Sequence, residues 1–267
     1  MDFQFVPGHL PLLVSMPHVG TDIPDEIAAR LTSAALQKPD TDWHLPQLYS
    51  FLQEMGASTL AARWSRYVID LNRPAQDTNL YPGQDTTGLT PLDTFHKDPL
   101  YLEGQAPTSG EVAERLQRYW QPYHTQIQTE LARLVAEHGY ALLWDAHSIA
   151  SVVPRFFEGK LPDLNFGTAD GSSCALGMTQ AVVAVAQAQS QYSVALNGRF
   201  KGGYITRQYG QSNPAGLRVH AIQLEMCQSV YMQEEYPFAY RPELAQQVQP
   251  LLQQMFVAML DWAKTQA

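Results

Sequence analysis

The chain has 267 residues and a mass of 29.9 kDa; 45% of residues are apolar and only 16% charged, which excludes a disordered or coiled-coil protein. With 17 basic and 26 acidic side chains the net charge is -9, so the broad basic footprint of a nucleic-acid binder is missing, although a small anion needs only a few local arginines. Two cysteines, Cys174 and Cys227, exclude a disulfide framework and a cysteine-only zinc cluster and fit a reducing compartment.

The amino-terminal stretch MDFQFVPGHLPLLV lacks the basic and long apolar regions of a secretory signal. No window approaches a membrane span, so a cytoplasmic, soluble chain is expected. Leu10 to Met16 reads as a buried strand. A helix is predicted to begin near Pro24 and to bury Ile27, Ala28, Leu31 and Ala35. A second covers about Asp42 to Met55 and stops at Gly56. Tyr67 to Leu71 reads as a strand. From Pro74 to Pro107 the chain is rich in Pro, Gly, Asp and Thr; a loop this long is uncommon unless it serves a site, so it is read as a flap or binding loop. A long helix runs from about Glu111 to His138, with Thr108 and Glu111 as a capping box, Gly139 as its stop and Pro122 as a kink. Tyr140 to Trp144 is the next strand, and an irregular stretch covers Ser151 to Ser172. A small-residue helix from Ser173 to Ser190, strands at Tyr192 to Leu196 and Val219 to Met226, and a helix from Pro242 to Lys264 complete the chain. This alternation is an α/β pattern, and the absence of repeats and linkers points to one domain over residues 1–267.

Polar residues interrupt the strands in an informative way. His18 follows the first strand, Asn72 and Arg73 end the second, Asp145 and His147 end the third, and Glu225 sits late in the fourth. In open α/β sheets ligands bind beyond the strand ends, so these tips define a reaction centre. Two histidines plus one carboxylate make the ligand set of a hydrolytic zinc site, which acidifies a water toward neutral pKa. His18 and His147 suit the ligand role, Asp42, Asp40 or Asp22 the carboxylate, and Glu225 the base. His44 is a possible orienting partner of a ligand, but a packed or surface histidine is the plainer reading. No nucleophile elbow, P-loop or dinucleotide-binding pattern competes: Ala175 stands where the second glycine of an elbow around Ser173 would fall.

The segments SMPHVGTDIP, DTDWHLPQLY, SRYVIDLNRP, LLWDAHSI, NGRFKGGYITRQYG and HAIQLEMCQSVYM resemble the N-formylglutamate amidohydrolase family across nearly the whole chain. That family is related to zinc carboxypeptidases and to the aspartoacylase and succinylglutamate desuccinylase group, whose DLNR and D-x-H segments RYVIDLNR and DAHS resemble. The resemblance implies a three-layer α/β/α fold with a central mixed sheet of the zinc-carboxypeptidase-like (phosphorylase/hydrolase-like) type. It implies hydrolysis of N-formyl-L-glutamate to formate and L-glutamate in histidine degradation. One divalent metal, zinc above cobalt or manganese, is implied on His18 and His147, with Glu225 as the catalytic carboxylate. Where carboxypeptidases carry H-x-x-E, Val19, Gly20 and Thr21 follow His18 here, so Asp42 is taken as third ligand ahead of Asp40 and Asp22.

A substrate with two carboxylates calls for more than one arginine. Arg73, Arg199 and Arg207 are candidates, with Asn72 and Tyr204 beside them, while Arg66 either joins them or polarises the formyl oxygen. Lys201, Gly202, Gly203 and Tyr204 form a stretch able to close over the substrate. The competing readings are a related N-acyl amino-acid hydrolase and, from another class, a catalytically silent amino-acid-binding protein on the same fold.

Overall fold

Seven short strands form one mixed sheet in a computed structural model that describes residues 2–211 and 213–266. In chain order they are β1 (Phe3–Val6), β2 (Leu12–Met16), β3 (Ser58–Ala62), β4 (Ala141–Ile149), β5 (Leu164–Gly167), β6 (Val194–Leu196) and β7 (Val219–Cys227). Their spatial order is β1-β3-β2-β4-β7-β5-β6. The four central strands β3, β2, β4 and β7 are parallel, whereas β1 and β5 join antiparallel. The core strands β2, β4 and β7 are buried along their whole length, as expected where helices cover both faces.

The two faces pack separately. Leu12, Val14, Leu142, Trp144, Ile222 and Leu224 join the side carrying α3 (Leu45–Leu48), α4 (Phe51–Met55), α7 (Leu176–Gln187) and α9 (Pro242–Lys264). Leu13, Leu60, Leu143 and Ala221 pack on the other side, against α6 (Gln121–His138) and α8 (Tyr204–Tyr209). Strand side chains alternate, so Asp145 and His147 follow Leu143 on the α6 side, and Gln223 and Glu225 follow Ala221 there. Parallel register sets His147 beside Glu225 and Asp145 beside Gln223. The expected three-layer α/β/α architecture with a mixed sheet is present.

Several expected elements differ. The helix expected from Pro24 is two single turns, α1 (Asp25–Ala28) and α2 (Ser33–Leu36), because Thr32 caps the second and Leu31 bridges to Tyr101. The helix expected from Asp42 to Met55 starts only at Leu45, since His44 is left-handed (φ 63°) and Pro46 opens α3; Gly56 ends α4 at φ 85°. Tyr67 to Leu71 is not a strand. The third central strand is β3 instead, an Ser/Ala-rich run without a strong apolar signal. Carbonyls of the 67–73 segment are taken by side chains rather than by a sheet neighbour: Arg115 Nη1 donates to Val68 O at 3.1 Å and His124 Nε2 to Leu71 O at 2.9 Å. β4 runs five residues beyond Trp144, so Asp145 and His147 lie within the strand. β5 lies in the stretch read as irregular.

The long helix is α5 (Ser109–Arg115), a π turn over Leu116–Trp120, and α6. The irregularity falls just before Pro122, which itself occupies the first turn of α6. The Thr108–Glu111 capping box is formed, and Arg30 Nη2 reaches Glu111 Oε1 at 2.6 Å. Thr108→Ala should therefore lower unfolding stability by about 1 kcal/mol in denaturant titration while leaving the sheet face intact; no loss would mean the cap is carried by the rest of the helix.

Candidate active site

The turn after β2 carries His18, and the chain returns after Lys38 so that Asp42 N donates to His18 O at 3.0 Å. This brings the Asp42 carboxylate under the end of β4, where His147 emerges on the same face. His18 Nδ1, His147 Nδ1 and Asp42 Oδ2 converge: the two nitrogens are 3.1 Å apart, and the oxygen lies 3.2 Å from His147 and 3.8 Å from His18. All three residues are buried, and their ligand atoms lie within 4.8 Å of one another, so the group could hold a metal ion. Of the other two aspartates, Asp40 accepts from Tyr67 Oη at 2.8 Å and from Phe95 N, and Asp22 pairs with Arg63 at the surface.

The donor set suits a divalent cation because the far nitrogen of each imidazole is held by an acid. His18 Nε2 donates to Asp70 Oδ1 at 2.7 Å, leaving Nδ1 with its lone pair toward the cluster. His147 Nε2 lies 3.1 Å from Asp145 Oδ2 and 2.9 Å from Asn72 Nδ2. Such outer carboxylates fix ring orientation and raise ligand basicity. The Asp145 Oδ1 atom is buried without a hydrogen-bond partner among the described residues. Asp70 was not among the candidate site residues. It binds His18, takes Arg66 Nη2 on its second oxygen at 2.7 Å, and accepts from Asn72 N at 2.8 Å. It is the first residue of the DLNR segment, two positions before Asn72.

Burial and charge set the protonation pattern. Burial and nearby Arg66 lower the His18 pKa against the pull of Asp70, so the ring is neutral. Burial acts against charge on His147 as well, but Asp145, Asp42 and Glu225 outweigh it and push its pKa well above the usual imidazole range. Burial would raise Asp70, yet His18 and Arg66 beside it hold its carboxyl well below the ordinary range. Glu225 is pushed up to about 8 by burial and by the Asp42 carboxylate, against His147. His147 Nδ1 lies 3.2 Å from Asp42 Oδ2 and 3.1 Å from His18 Nδ1, so a proton there and a cation among the three ligand atoms are alternatives.

A cleft opens over this face. Its walls include His18, His147, Glu225, Asn72 and the guanidinium-bearing Arg66, Arg73 and Arg199. Arg66 is fixed by Asp70 and lies over the Phe95 ring at 4.7 Å. Arg199 donates from Nε to Phe156 O at 2.8 Å and from Nη2 to Asp85 O at 2.9 Å, both outside the predicted motifs. The 74–107 loop supplies Tyr81, Thr86 and Phe95 to the walls, and Arg155 ties it down through Asp85 and Asp93. Arg207 and Tyr204 do not line the cleft. Arg207 Nε donates to Gly202 O at 2.9 Å, and Tyr204 packs on Trp120 and His124. Lys201 pairs with Asp170, and His44 binds Phe238 O at 2.7 Å, away from the ligands. Gln223, Tyr81 and Phe95 enter the site unforeseen; Gln223 Oε1 accepts from Gly203 N at 2.7 Å. A Cβ on Gly203 would lie 2.3 Å from Asn72 Nδ2, so only glycine permits this approach.

A mixed sheet with acids and imidazoles at the carboxyl ends of its parallel strands belongs to the α/β hydrolytic enzymes. A model of the N-formylglutamate amidohydrolase family matches residues 10–232, and the chain belongs to that family. It is therefore an amide-hydrolysing enzyme. Over 261 residues it is 51% identical to the N-formylglutamate deformylase of Pseudomonas aeruginosa, covering 98% of this chain and 97% of that one. It is equally 51% identical to that of Pseudomonas putida, over 97% and 96% of the two chains. The crystal structure of an N-formylglutamate amidohydrolase from Ralstonia eutropha superposes with a TM-score of 0.79 at 25% identity over 99% of this chain and 97% of that one. A gene product of Agrobacterium tumefaciens shares the fold with a TM-score of 0.73 at 17% identity over 97% and 94%. No helix among the described residues is long and apolar enough to cross a membrane.

Two outcomes follow from the geometry. At pH 7 both His147 and Glu225 hold protons, being below their raised pKa values, and a cation disfavours both; Zn²⁺ binding should release at least one proton, read by calorimetry in buffers of different ionisation enthalpy. Proton-neutral binding would refute the converging-donor arrangement. Asp70→Asn should weaken Zn²⁺ binding roughly 10- to 100-fold through His18, and unchanged affinity would show that Asp70 serves Arg66 alone.

Proposed function

We propose that this chain, as one amidohydrolase domain, hydrolyses N-formyl-L-glutamate to formate and L-glutamate with a divalent metal, zinc above others, on His18, Asp42 and His147. The observation that carries the reading is the convergence of those three ligand atoms within 4.8 Å, in a cleft that also contains Glu225 and three arginines. The near-full-length likeness to deformylases acting on N-formylglutamate supports the substrate. A divalent cation held there would lower the pKa of a water and draw electron density from the formyl oxygen.

The chain's own groups then have distinct tasks. Glu225 takes a proton from the attacking water as the new C–O bond forms, and then delivers it to the amide nitrogen, which departs as the C–N bond breaks and the carbonyl is restored. Its raised pKa, from burial, suits a group that both accepts and returns a proton near neutrality. Arg66, immobilised between Asp70 and the Phe95 ring, faces the charge that develops on the formyl oxygen. Arg73 and Arg199 hold the two carboxylates, and Asn72 steadies His147 and the substrate end of the cleft. Arg66 is already paired with a carboxylate, which leaves Arg73 and Arg199 as the cations for a dianion. Arg207 and Tyr204 support this wall from outside it.

Glu225→Gln should keep Zn²⁺ and substrate binding and lose roughly 10²–10⁴-fold in kcat, measured as formate release. Normal turnover would remove Glu225 from the mechanism. The same assay on N-succinylglutamate, N-acetylaspartate and short peptides should show N-formyl-L-glutamate as the preferred substrate; preference for another acyl group would reassign the enzyme to a neighbouring hydrolase.

A further inference from the structure

The segment that carries Asn72 and Arg73 into the cleft has no strand beside it. Each of its carbonyls is nevertheless taken. Leu71 O accepts from His124 Nε2 at 2.9 Å, Asn72 O from Tyr204 N at 3.2 Å, and Arg73 O from Trp120 Nε1 at 2.9 Å. On the other side of the same segment, the Asn72 side chain reaches His147 and Asp145, and its Oδ1 accepts from Ile205 N at 2.8 Å. The position of two cleft residues thus depends on two ring N–H groups from one helix.

The π turn explains how one helix reaches three carbonyls of that segment. Arg115, Trp120 and His124 donate to the carbonyls of Val68, Arg73 and Leu71. In an unbroken α-helix, positions five apart stand about 140° from each other around the axis, so Arg115 and Trp120 would face different ways. Here Gln121 N donates to Leu116 O, the wider i→i+5 turn, which brings positions five apart back onto one face. The Trp120 and His124 rings lie against each other with centroids 3.7 Å apart and planes tilted by 30°. Tyr209 Oη binds His124 Nδ1 at 2.9 Å, which leaves Nε2 as the donor to Leu71 O. Burial lowers the His124 pKa to about 3, so this pattern does not change across the working pH range.

We propose that Trp120 and His124, aligned by the π turn, are positioning residues for substrate binding: by holding the carbonyls of Arg73 and Leu71 they keep the Arg73 guanidinium and the Asn72 amide in place in the cleft. The inference rests on the substrate-binding role assigned above to Arg73. Neither residue lines the cleft, and neither touches the three ligand atoms. Trp120 donates to the Arg73 carbonyl, so its influence falls on KM rather than on the metal or the chemical step, whereas His124, through Leu71 and Asn72, also bears on His147.

The test is Trp120→Phe, which keeps a ring on His124 and removes only the N–H. It should raise KM for N-formyl-L-glutamate roughly fivefold to tenfold, the effect of one lost hydrogen bond, while kcat and Zn²⁺ affinity stay within roughly twofold. In an Arg73→Met background the same change should have almost no further effect on KM, because the two act through one group. Hydrogen exchange of the amides at 70–74 should quicken in Trp120→Phe with no substrate present. An unchanged KM with unchanged exchange, or a KM loss undiminished in the Arg73→Met background, would overturn the proposal. If the wild-type enzyme leaves N-formyl-L-glutamate untouched, the functional reading fails, and the exchange measurement still decides whether Trp120 holds the segment.

Discussion

Everything in the site depends on gathering more buried acid than base around two imidazoles. Asp42, Asp70, Asp145 and Glu225 are all buried around His18 and His147, beside the buried guanidinium of Arg66. Burying carboxylates without partners is expensive, so such a cluster holds protons or cations. Without a cation, the excess of acid pushes the His147 pKa well above the imidazole range and that of Glu225 up to about 8. A divalent cation at the same point would answer the same need with more charge. The raised His147 pKa and the proposed metal site thus trace to one electrostatic imbalance.

The fold exists to make that imbalance possible. Apolar side chains fill the α6 face of the sheet as far as Leu143 and Ala221, and the next inward positions on the same strands are Asp145, His147, Gln223 and Glu225. The parallel register puts His147 beside Glu225 without any loop being involved. Asp42 and His18 come from one loop and one turn, pinned together by a backbone hydrogen bond. A rigid sheet therefore holds His147 and Glu225, while the chain around it supplies His18, Asp42 and the walls of the cleft.

The sequence carried much of this in readable form. His18, Asp42, His147 and Glu225 were legible because each breaks an apolar run or opens a helical one, and those breaks meet in space. The helix over Pro242–Lys264 was legible to the residue, since its apolar positions repeat at helical spacing over six turns. The segment 67–71 was misread because its apolar residues, Tyr67, Val68, Ile69 and Leu71, have strand-like character, yet they pack between helices while side chains satisfy their carbonyls. β3 was missed for the converse reason: Ser58, Ala61 and Ala62 carry little pattern, and tertiary pairing alone makes them a strand. The contacts of Asp70 with His18 and of Trp120 with Arg73 O could not be read from the sequence, because acting through another group leaves no spacing to read. Arg207 and Tyr204 were placed with the substrate from their glycine-bearing context, and the structure turns them behind the wall instead.

The central claim is that a single divalent cation on His18, Asp42 and His147 is required for amide hydrolysis. Its most direct test is formate release from N-formyl-L-glutamate by chelated enzyme during titration with Zn²⁺, with bound metal measured in the same samples. Activity should rise in proportion to bound zinc and level off at one equivalent per chain. Full activity in samples shown by elemental analysis to carry no metal would contradict the account.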